Sequence, residues 1–192
     1  NAAYVSGTAM QTLTANTLED KQTAVFVSGE YDFTDQLTAT AELRYTSEKQ
    51  VLDNTLDIFF NSPAIQYDDK STFLDPRVIL RYKPSETLMF YASAAKGSRS
   101  GGLNPAVTDP TAQSYDPESN NTFEIGTKTS WLNNRLTFNA AVFYIDWTDA
   151  QFRQNVPGNS TLTVTRNTGD IESKGFELEL MARLGDDWSA SL

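Results

Sequence analysis

Apolar and polar residues alternate strictly along most of the chain, which predicts β-strands with one apolar and one polar face. In residues 37–46, for example, Leu37, Ala39, Ala41, Leu43 and Tyr45 alternate with Thr, Glu and Arg. The same alternation predicts eight strands, at residues 23–32, 37–46, 72–82, 88–96, 123–131, 136–147, 176–184 and 188–192. Most of these strands are close to the length of about 9–11 residues that a tilted membrane strand requires.

Short turns and long connections alternate between the predicted strands. Turn-forming residues mark the short turns at 34–36, 84–86, 133–134 and 185–187. Long polar loops are predicted at 47–71, 97–120 and 153–170, with residues 1–20 forming the end of another. Outer-membrane barrels have short periplasmic turns and long extracellular loops, whereas a soluble β-sandwich has no reason for this asymmetry. The chain is therefore predicted to be an all-β, antiparallel, up-and-down transmembrane β-barrel segment of about eight strands.

The charged residues of these strands lie on one face of the predicted sheet. We expect this face to form the wall of the lumen, with Glu42, Arg44, Arg77, Arg81, Glu124, Lys128, Glu177 and Glu179; Arg183 lies on it as well. An Arg or Lys at the bilayer midplane costs about 2–4 kcal/mol, so the other face must be apolar if it contacts lipid. We expect Ala39, Leu80, Ile125, Val142 and Leu178 on that lipid-facing side. A soluble sheet with one buried face is the alternative.

Aromatic residues add to the membrane interpretation. Phe33, Tyr82, Trp131 and Trp188 each lie beside a short turn, where an interfacial girdle belongs. Phe26 is the exception, because its position places it on the polar face with Ser28 and Glu30.

Composition excludes several other classes of function. Among 192 residues there is no His and no Cys, so neither a Ser-His pair, a thiolate nucleophile nor a disulfide can form. The net charge of −10 disfavours nucleic acid. Asp53, Asp57, Asp68 and Asp69 make one loop acidic, but their spacing matches no compact calcium loop, and solvated carboxylates are the preferred interpretation. We predict no enzyme activity, no cofactor and no metal site.

Several motifs resemble those of one family. The stretch 97–102, Gly-Ser-Arg-Ser-Gly-Gly, lacks the Gly-Lys-Ser/Thr ending of a phosphate-binding loop. Residues 91–104 instead resemble the strand-to-loop signature of TonB-dependent receptors. Further segments similar to that family, in matching order and spacing, lie at 43–46, 115–118, 123–128, 131–136, 139–144, 167–169 and 174–179. The resemblance covers roughly residues 23–192, and Ser98 departs from it because the family usually has an aromatic residue there.

The resemblance implies a barrel of about 22 strands in the bacterial outer membrane, plugged by an N-terminal domain. Such receptors bind a scarce, bulky nutrient outside and import it with energy from the TonB system; the cargo is most often a ferric siderophore, and cobalamin or oligosaccharides are others. Residues 1–192 are interpreted as a partial barrel domain without plug or C-terminal strand, because both ends look like cuts. The implied partners are outer-membrane lipid and lipopolysaccharide, the ligand, and the plug and TonB through the rest of the parent protein.

Candidate substrate-binding residues lie at the exterior strand ends and in the neighbouring loops: Lys96, Arg99, Asn104, Tyr115, Trp147, Gln151 and Arg153. Arg and amphipathic aromatic residues make good ligand anchors. The alternative for Tyr115 and Trp147 is loop packing or an interfacial role, and for Lys96 and Arg99 a solvated rim or a contact with lipopolysaccharide phosphate.

A different function also stays open, since eight strands suffice for a self-contained barrel that acts as an anchor or adhesin.

Overall fold

The computed structural model describes residues 5–6, 9–10, 16–54, 65–104, 112–156, 159–185 and 188–192. The strands in these ranges are β1 (Val5–Ser6), β2 (Ala9–Met10), β3 (Asn16–Thr34), β4 (Leu37–Asn54), β5 (Ile65–Ser85), β6 (Leu88–Arg99), β7 (Gly102–Leu103), β8 (Ser114–Tyr115), β9 (Glu118–Trp131), β10 (Leu136–Thr148), β11 (Gln151–Val156), β12 (Asn159–Asn167), β13 (Ile171–Arg183) and β14 (Ser189–Ser191). No helix in the described part of the chain is long and apolar enough to cross a membrane.

Eight of the strands form one antiparallel sheet in the order β14-β13-β10-β9-β6-β5-β4-β3. Neighbouring strands follow one another in the chain, apart from the hairpins β7–β8 and β11–β12, which lie in the connections β6 to β9 and β10 to β13. The predicted up-and-down topology of eight strands is therefore confirmed. In the described residues β3 and β14 are the two open edges of this sheet.

The first three short turns lie where the sequence predicts them, whereas residues 186–187 of the fourth predicted turn, 185–187, lie outside the described residues. Residues 35–36, 86–87 and 132–135 connect paired strands directly. In the third turn Leu132, Asn133 and Asn134 have φ of 53°, 55° and 64°. Asn tolerates this left-handed conformation better than most residues, whereas Leu132 adopts it at a steric cost.

The strands run much further on the loop side than predicted. Most of the predicted loop 47–71 is strand, because β4 continues to Asn54 and β5 begins at Ile65. Strand also replaces part of the predicted loops 1–20, 97–120 and 153–170. The prediction failed there because these extensions carry polar residues on both faces, so the apolar alternation ends while the backbone ladder continues.

The register of the sheet separates its two faces. One row of directly paired residues crosses seven strands: Tyr31, Ala39, Leu80, Ala92, Ile125, Val142 and Phe176. Its members are apolar and its large side chains exposed, with Ile125 at 64% and Phe176 at 72%. The predicted lipid-facing residues Ala39, Leu80, Ile125 and Val142 belong to this row, and Leu178 lies on the same face opposite Ala140. An apolar face this extensive indicates contact with lipid or protein rather than water.

Candidate functional site

At the end of the sheet that carries the long connections, which we call the loop side, strands β5 and β6 separate. Pairing of β5 with β6 ends at Arg77 and Ala95, although β4 stays paired with β5 past Pro76. Because Pro has no N–H to donate, we attribute this end of the β5–β6 ladder to Pro76. Beyond it β6 remains on β9, and the Ser98 hydroxyl donates a hydrogen bond of 2.7 Å to the Asp75 carboxylate.

The segment after β6 reaches across β5 to β4. The Ser100 hydroxyl donates to Oε1 of Glu48, a residue of β4 that is 8% exposed. Gln50 Nε2 donates to the same oxygen at 2.7 Å, and Gln22 Nε2 donates to Oε2 at 3.1 Å. Burial disfavours the charged carboxylate, but the three hydrogen bonds outweigh it and lower the pKa of Glu48 below its usual value.

A second set of contacts joins β6, β9 and β11. The Arg99 guanidinium lies 2.9 Å from Glu118 Oε1, and its Nε and Nη2 donate to Gln151 Oε1 at 3.0 and 2.7 Å. The other Glu118 oxygen accepts the backbone N–H of Gln151 at 2.5 Å. Gln151 Nε2 donates to the carbonyls of Ser100 and Asp116, both at 2.9 Å. We call Glu48, Arg99, Ser100, Glu118 and Gln151 the mouth cluster.

Two asparagines fix the loop hairpins to one another. Asn104 is 7% exposed; its Nδ2 donates to the carbonyls of Ala112 and Thr165, and its Oδ1 accepts the Thr165 N–H at 2.8 Å. The Asn167 side chain accepts the Asp116 N–H at 2.7 Å and donates to the Asp116 carbonyl at 2.9 Å. The hairpins β7–β8 and β11–β12 are therefore held as one hydrogen-bonded unit.

Tyr115 explains two glycines of the glycine-rich stretch. A Cβ on Gly101 would overlap the Tyr115 carbonyl, and a Cβ on Gly102 would overlap the Tyr115 ring. The same tyrosine lines a cavity of about 370 Å³ between β5 and the β7–β8 hairpin, together with Tyr67, Asp69 and Asp116. Close backbone approach, rather than phosphate binding, accounts for this Gly-Gly pair.

The structure brings some predicted binding residues together and separates others. Arg99 and Gln151 belong to the mouth cluster, and Asn104 is bonded to the hairpin next to it. The Trp147 ring lies 6.4 Å from that of Phe152, and exposed Arg153 donates to Thr163 at 2.9 Å. Lys96 falls on the apolar-face side of β6, opposite to Arg99.

Sequence reasoning overlooked Glu48, Ser100, Glu118 and Asn167. Three of them lie inside the family-like motifs: Ser100 in the glycine-rich stretch, Glu118 after Asp116-Pro117, and Asn167 before Thr168-Gly169. Glu48 lies in the predicted loop 47–71, which the structure shows as part of β4. For the three motif residues the only signal in the sequence is that they belong to a motif, and a motif does not show which residue each one contacts.

Predicted lumen-wall residues of β4 and β5 contact other polar side chains on the same face. Arg77 lies 3.5 Å from Glu42, and Arg81 pairs with Glu30. Arg44 Nε donates to Thr46 at 3.3 Å. The two ion pairs join three neighbouring strands, β3, β4 and β5.

Nearer the short turns, Tyr91 donates to Glu124 at 2.5 Å, and Lys128 Nζ lies 6.0 Å from the centre of the Tyr91 ring. Asn139 Nδ2 donates to Glu179 at 2.8 Å. Tyr91, Lys128, Asn139, Glu177 and Glu179 line a cavity of about 520 Å³. The polar face is therefore charged and also contains a cavity at this point. On the same face Phe26 is 74% exposed, as its position predicted.

Known proteins with similar sequences share this architecture. A family model described as "TonB dependent receptor-like, beta-barrel" matches residues 1–192. The chain is 33% identical over 138 residues, 68% of its length, to the probable TonB-dependent siderophore receptor PiuA of Acinetobacter baumannii, and covers 18% of that protein. It is 26% identical over 178 residues, 92% of its length, to the ferric-pyoverdine BN7/BN8 receptor of Pseudomonas putida, and covers 20% of it. The chain thus spans a fifth or less of the curated relatives that it matches.

Solved structures agree on the fold. The ferric yersiniabactin uptake receptor FyuA of Yersinia pestis superposes with a TM-score of 0.80 at 20% identity, over 98% of this chain and 28% of that one. The siderophore receptor PiuA of Acinetobacter baumannii gives a TM-score of 0.71 at 24% identity, over 91% of this chain and 24% of that one. With a family match over every residue and the exposed apolar face described above, the chain belongs to the TonB-dependent receptors, transport receptors of the bacterial outer membrane, as part of their β-barrel.

Proposed function

We propose that this chain forms part of the wall and extracellular mouth of a receptor that binds a ferric siderophore and imports it with energy from the TonB system. The observation that carries the proposal is the position of the mouth cluster, on the polar face and at the loop side of a sheet related to siderophore receptors. Residues 1–192 then supply a partial barrel domain. The plug, the contact with TonB and the closing strands belong to the rest of the protein.

Within this function, the contacts suggest two groups of mouth residues. Arg99, Asn104 and Gln151 already use their polar atoms on neighbouring loops, so their role is to hold the mouth in shape. Tyr115, Trp147 and Arg153 retain accessible surface beside these loops and are proposed to contact the ligand. Lys96 is proposed to contact the lipid headgroups, because its register places it outside. Glu124, Lys128, Glu177 and Glu179 are proposed to face the plug or the transport path, without catalysis.

Uptake of ⁵⁵Fe tests this function. The full-length receptor is expressed in bacteria that lack their own siderophore receptors, with and without TonB, and a panel of ferric hydroxamate, catecholate and mixed-type siderophores is supplied. We expect uptake of at least one of them, abolished without TonB. TonB-dependent uptake of cobalamin or an oligosaccharide with no siderophore transported would contradict the proposal.

A self-contained eight-stranded anchor or adhesin is the second candidate. Such a barrel requires β3 to pair with β14, whereas the described residues place these strands at opposite edges of an open sheet. The structure therefore gives this candidate no support.

A further inference from the structure

Strand β5 has a paired neighbour on only one side over its loop-side part. It stays paired with β4 as far as Ile65, whereas its pairing with β6 ends at Arg77 and Ala95. In the part of the chain that the structure describes, no residue of β5 before Arg77 pairs with β6, β7 or β8. We call the side of residues 66–72 that faces away from β4 the β5 edge.

The alternation of the ladder shows which backbone groups this edge presents. In an antiparallel sheet, successive residues of a strand direct their N–H and C=O groups to one neighbouring strand and then to the other. The Lys83 N–H donates to the carbonyl of Gln36, which lies opposite it, so the odd-numbered residues of β5 bond to β4. The even-numbered residues therefore direct their backbone groups to the β5 edge: Gln66, Asp68, Lys70 and Thr72.

Pro76 explains why this edge has no partner. The Ser130 N–H donates to the Thr87 carbonyl, so the odd-numbered residues of β6 bond to β9 and the even-numbered ones to β5. The first such pair beyond the end of the β5–β6 ladder would join Lys96 to Pro76, which has no N–H to donate. The ladder therefore stops at a residue that cannot continue it, and β5 runs on with one side unpaired.

A cleft lies beside the β5 edge. The cavity of about 370 Å³ is lined by residues 69–73 of β5 on one side and by Gly101 and Tyr115 on the other. A second cavity, of about 210 Å³, lies between Phe73 and Ser100. A chain placed in this cleft would have the β5 edge on one side and the β7–β8 hairpin on the other.

We propose that the β5 edge binds the backbone of a peptide, so that the siderophore imported by this receptor has a peptide chain; this inference rests on the function proposed above. Alternating N–H and C=O groups on an unpaired strand recognise an extended amide backbone of any sequence. Six residue steps along the strand span about 20 Å, the length of an extended peptide of about six residues. Tyr115, proposed above to contact the ligand, lines the same cleft.

Isothermal titration calorimetry of the full-length receptor in detergent tests the proposal with two probes. The first is the ferric complex of a linear hexapeptide that contains three Nδ-acetyl-Nδ-hydroxyornithine residues. The second is the same complex with its backbone amides N-methylated, which keeps the iron-binding groups and the charge but removes the N–H donors.

Two proline variants of the receptor complement the probes. Thr72→Pro removes one N–H from the β5 edge without touching a bond to β4. Glu86→Pro, the matched control, places a proline in the short turn 86–87 at the other end of the sheet. Heat-modifiable gel mobility checks that both variants are folded, and the comparison of the two probes on the wild type does not depend on either variant.

We expect N-methylation to weaken binding to the wild type at least tenfold, because several backbone hydrogen bonds are lost and each changes affinity by roughly two- to tenfold. Thr72→Pro should weaken binding of the unmethylated probe severalfold, and Glu86→Pro should leave it unchanged. Equal affinity of the wild type for both probes, binding of neither, or wild-type affinity in folded Thr72→Pro would each overturn the inference. TonB-dependent uptake of a siderophore without a peptide chain would then show that the proposed function still holds.

Discussion

Val142 lies on the apolar face, 56% exposed, directly between Ile125 and Phe176 in the cross-strand register. Its chain neighbour Ala141 lies on the polar face, opposite Gly126 and Glu177. Two adjacent residues of one strand therefore experience lipid and water at the same depth. Substitutions at these two positions therefore allow a direct comparison of how much a charged side chain destabilises the protein on each face.

The first prediction is that Val142→Arg destabilises the assembled receptor by about 2–4 kcal/mol, because a guanidinium near the bilayer midplane loses its hydration. Ala141→Arg is the control, since its guanidinium faces the cavity beside Glu177. Urea unfolding of the full-length receptor in bilayers, together with heat-modifiable mobility, gives the difference. Equal destabilisation by both variants would contradict the assignment of faces.

The second prediction concerns Gly101, where a side chain would overlap a backbone carbonyl that cannot rotate away. We expect Gly101→Ala to cost about 1–3 kcal/mol in local stability and to loosen residues 112–118. Gly29→Ala is the control, because nothing lies within 4 Å of its added Cβ. Hydrogen exchange of the two variants should differ in the loop hairpins alone. Unchanged protection of residues 112–118 in Gly101→Ala would show that the loop accommodates the methyl group.

At the scale of elements, the mouth cluster connects four strands that are not all neighbours. Ser100 bridges from the end of β6 to Glu48 on β4, and Arg99 and Glu118 join β6 and β9 to Gln151 on β11. Such a network fixes the loops relative to the barrel wall, because each buried polar group is satisfied by a different element.

The third prediction is a pH dependence of this bridge. The folded-state pKa of Glu48 is lowered, so its contribution to stability is fully present above the usual glutamate pKa, near 4.5, and is lost as the pH falls below that value. We expect Glu48→Gln to lower the free energy of unfolding by about 1 kcal/mol at pH 7, because Gln places an amide donor opposite the Gln22 or Gln50 amide. Below pH 4.5 the wild-type carboxylate becomes protonated, so the difference between the two proteins becomes progressively smaller. Urea unfolding between pH 3 and 7 measures the difference. A cost that stays constant over this range would contradict the role of the charged carboxylate.

The sheet could be predicted from sequence where it crosses the membrane, and much less beyond it. Between Leu37 and Tyr45 lipid on one side and water on the other impose an alternation that can be read directly. Beyond Tyr45 both faces meet water, so Lys49 and Gln50 continue the strand without an apolar signal. Pro76 is visible in the sequence, but nothing local shows that β5 loses its pairing with β6 there and keeps its pairing with β4.

Sequence position indicated which residues lie in the loops of the candidate site, but not which residues they contact. Arg99, Gln151 and Asn104 were identified from position and chemistry, and all three are part of the hydrogen-bonded loops. Glu118 and Glu48 were not, because Glu118 contacts Gln151, 33 positions away, Glu48 contacts Ser100, 52 positions away, and both contacts depend on register. Alternation along a strand shows on which face of the sheet a residue lies. Its neighbour on the next strand is known only once the register of the two strands is known.

At the scale of the whole molecule, the fourth prediction is that residues 1–192 alone do not form a stable, soluble monomer. The apolar face is exposed across the sheet, and β3 presents an edge of 19 residues with unpaired backbone groups. We expect expression of this segment without detergent to give aggregates by size-exclusion chromatography. A monodisperse monomer with cooperative unfolding would contradict a lipid-facing sheet.

Cysteine accessibility in the full-length receptor tests the central claim, that one face of this sheet meets lipid and the other a hydrated lumen. The segment contains no Cys, so single substitutions at Ala39, Val142, Glu42 and Lys128 introduce unique labels within it. We predict that cysteines at 39 and 142 react with a lipid-confined maleimide and are protected from a water-soluble one, and that cysteines at 42 and 128 do the opposite. Lipid-confined labelling at 42 and 128, with water-soluble labelling at 39 and 142, would contradict the account.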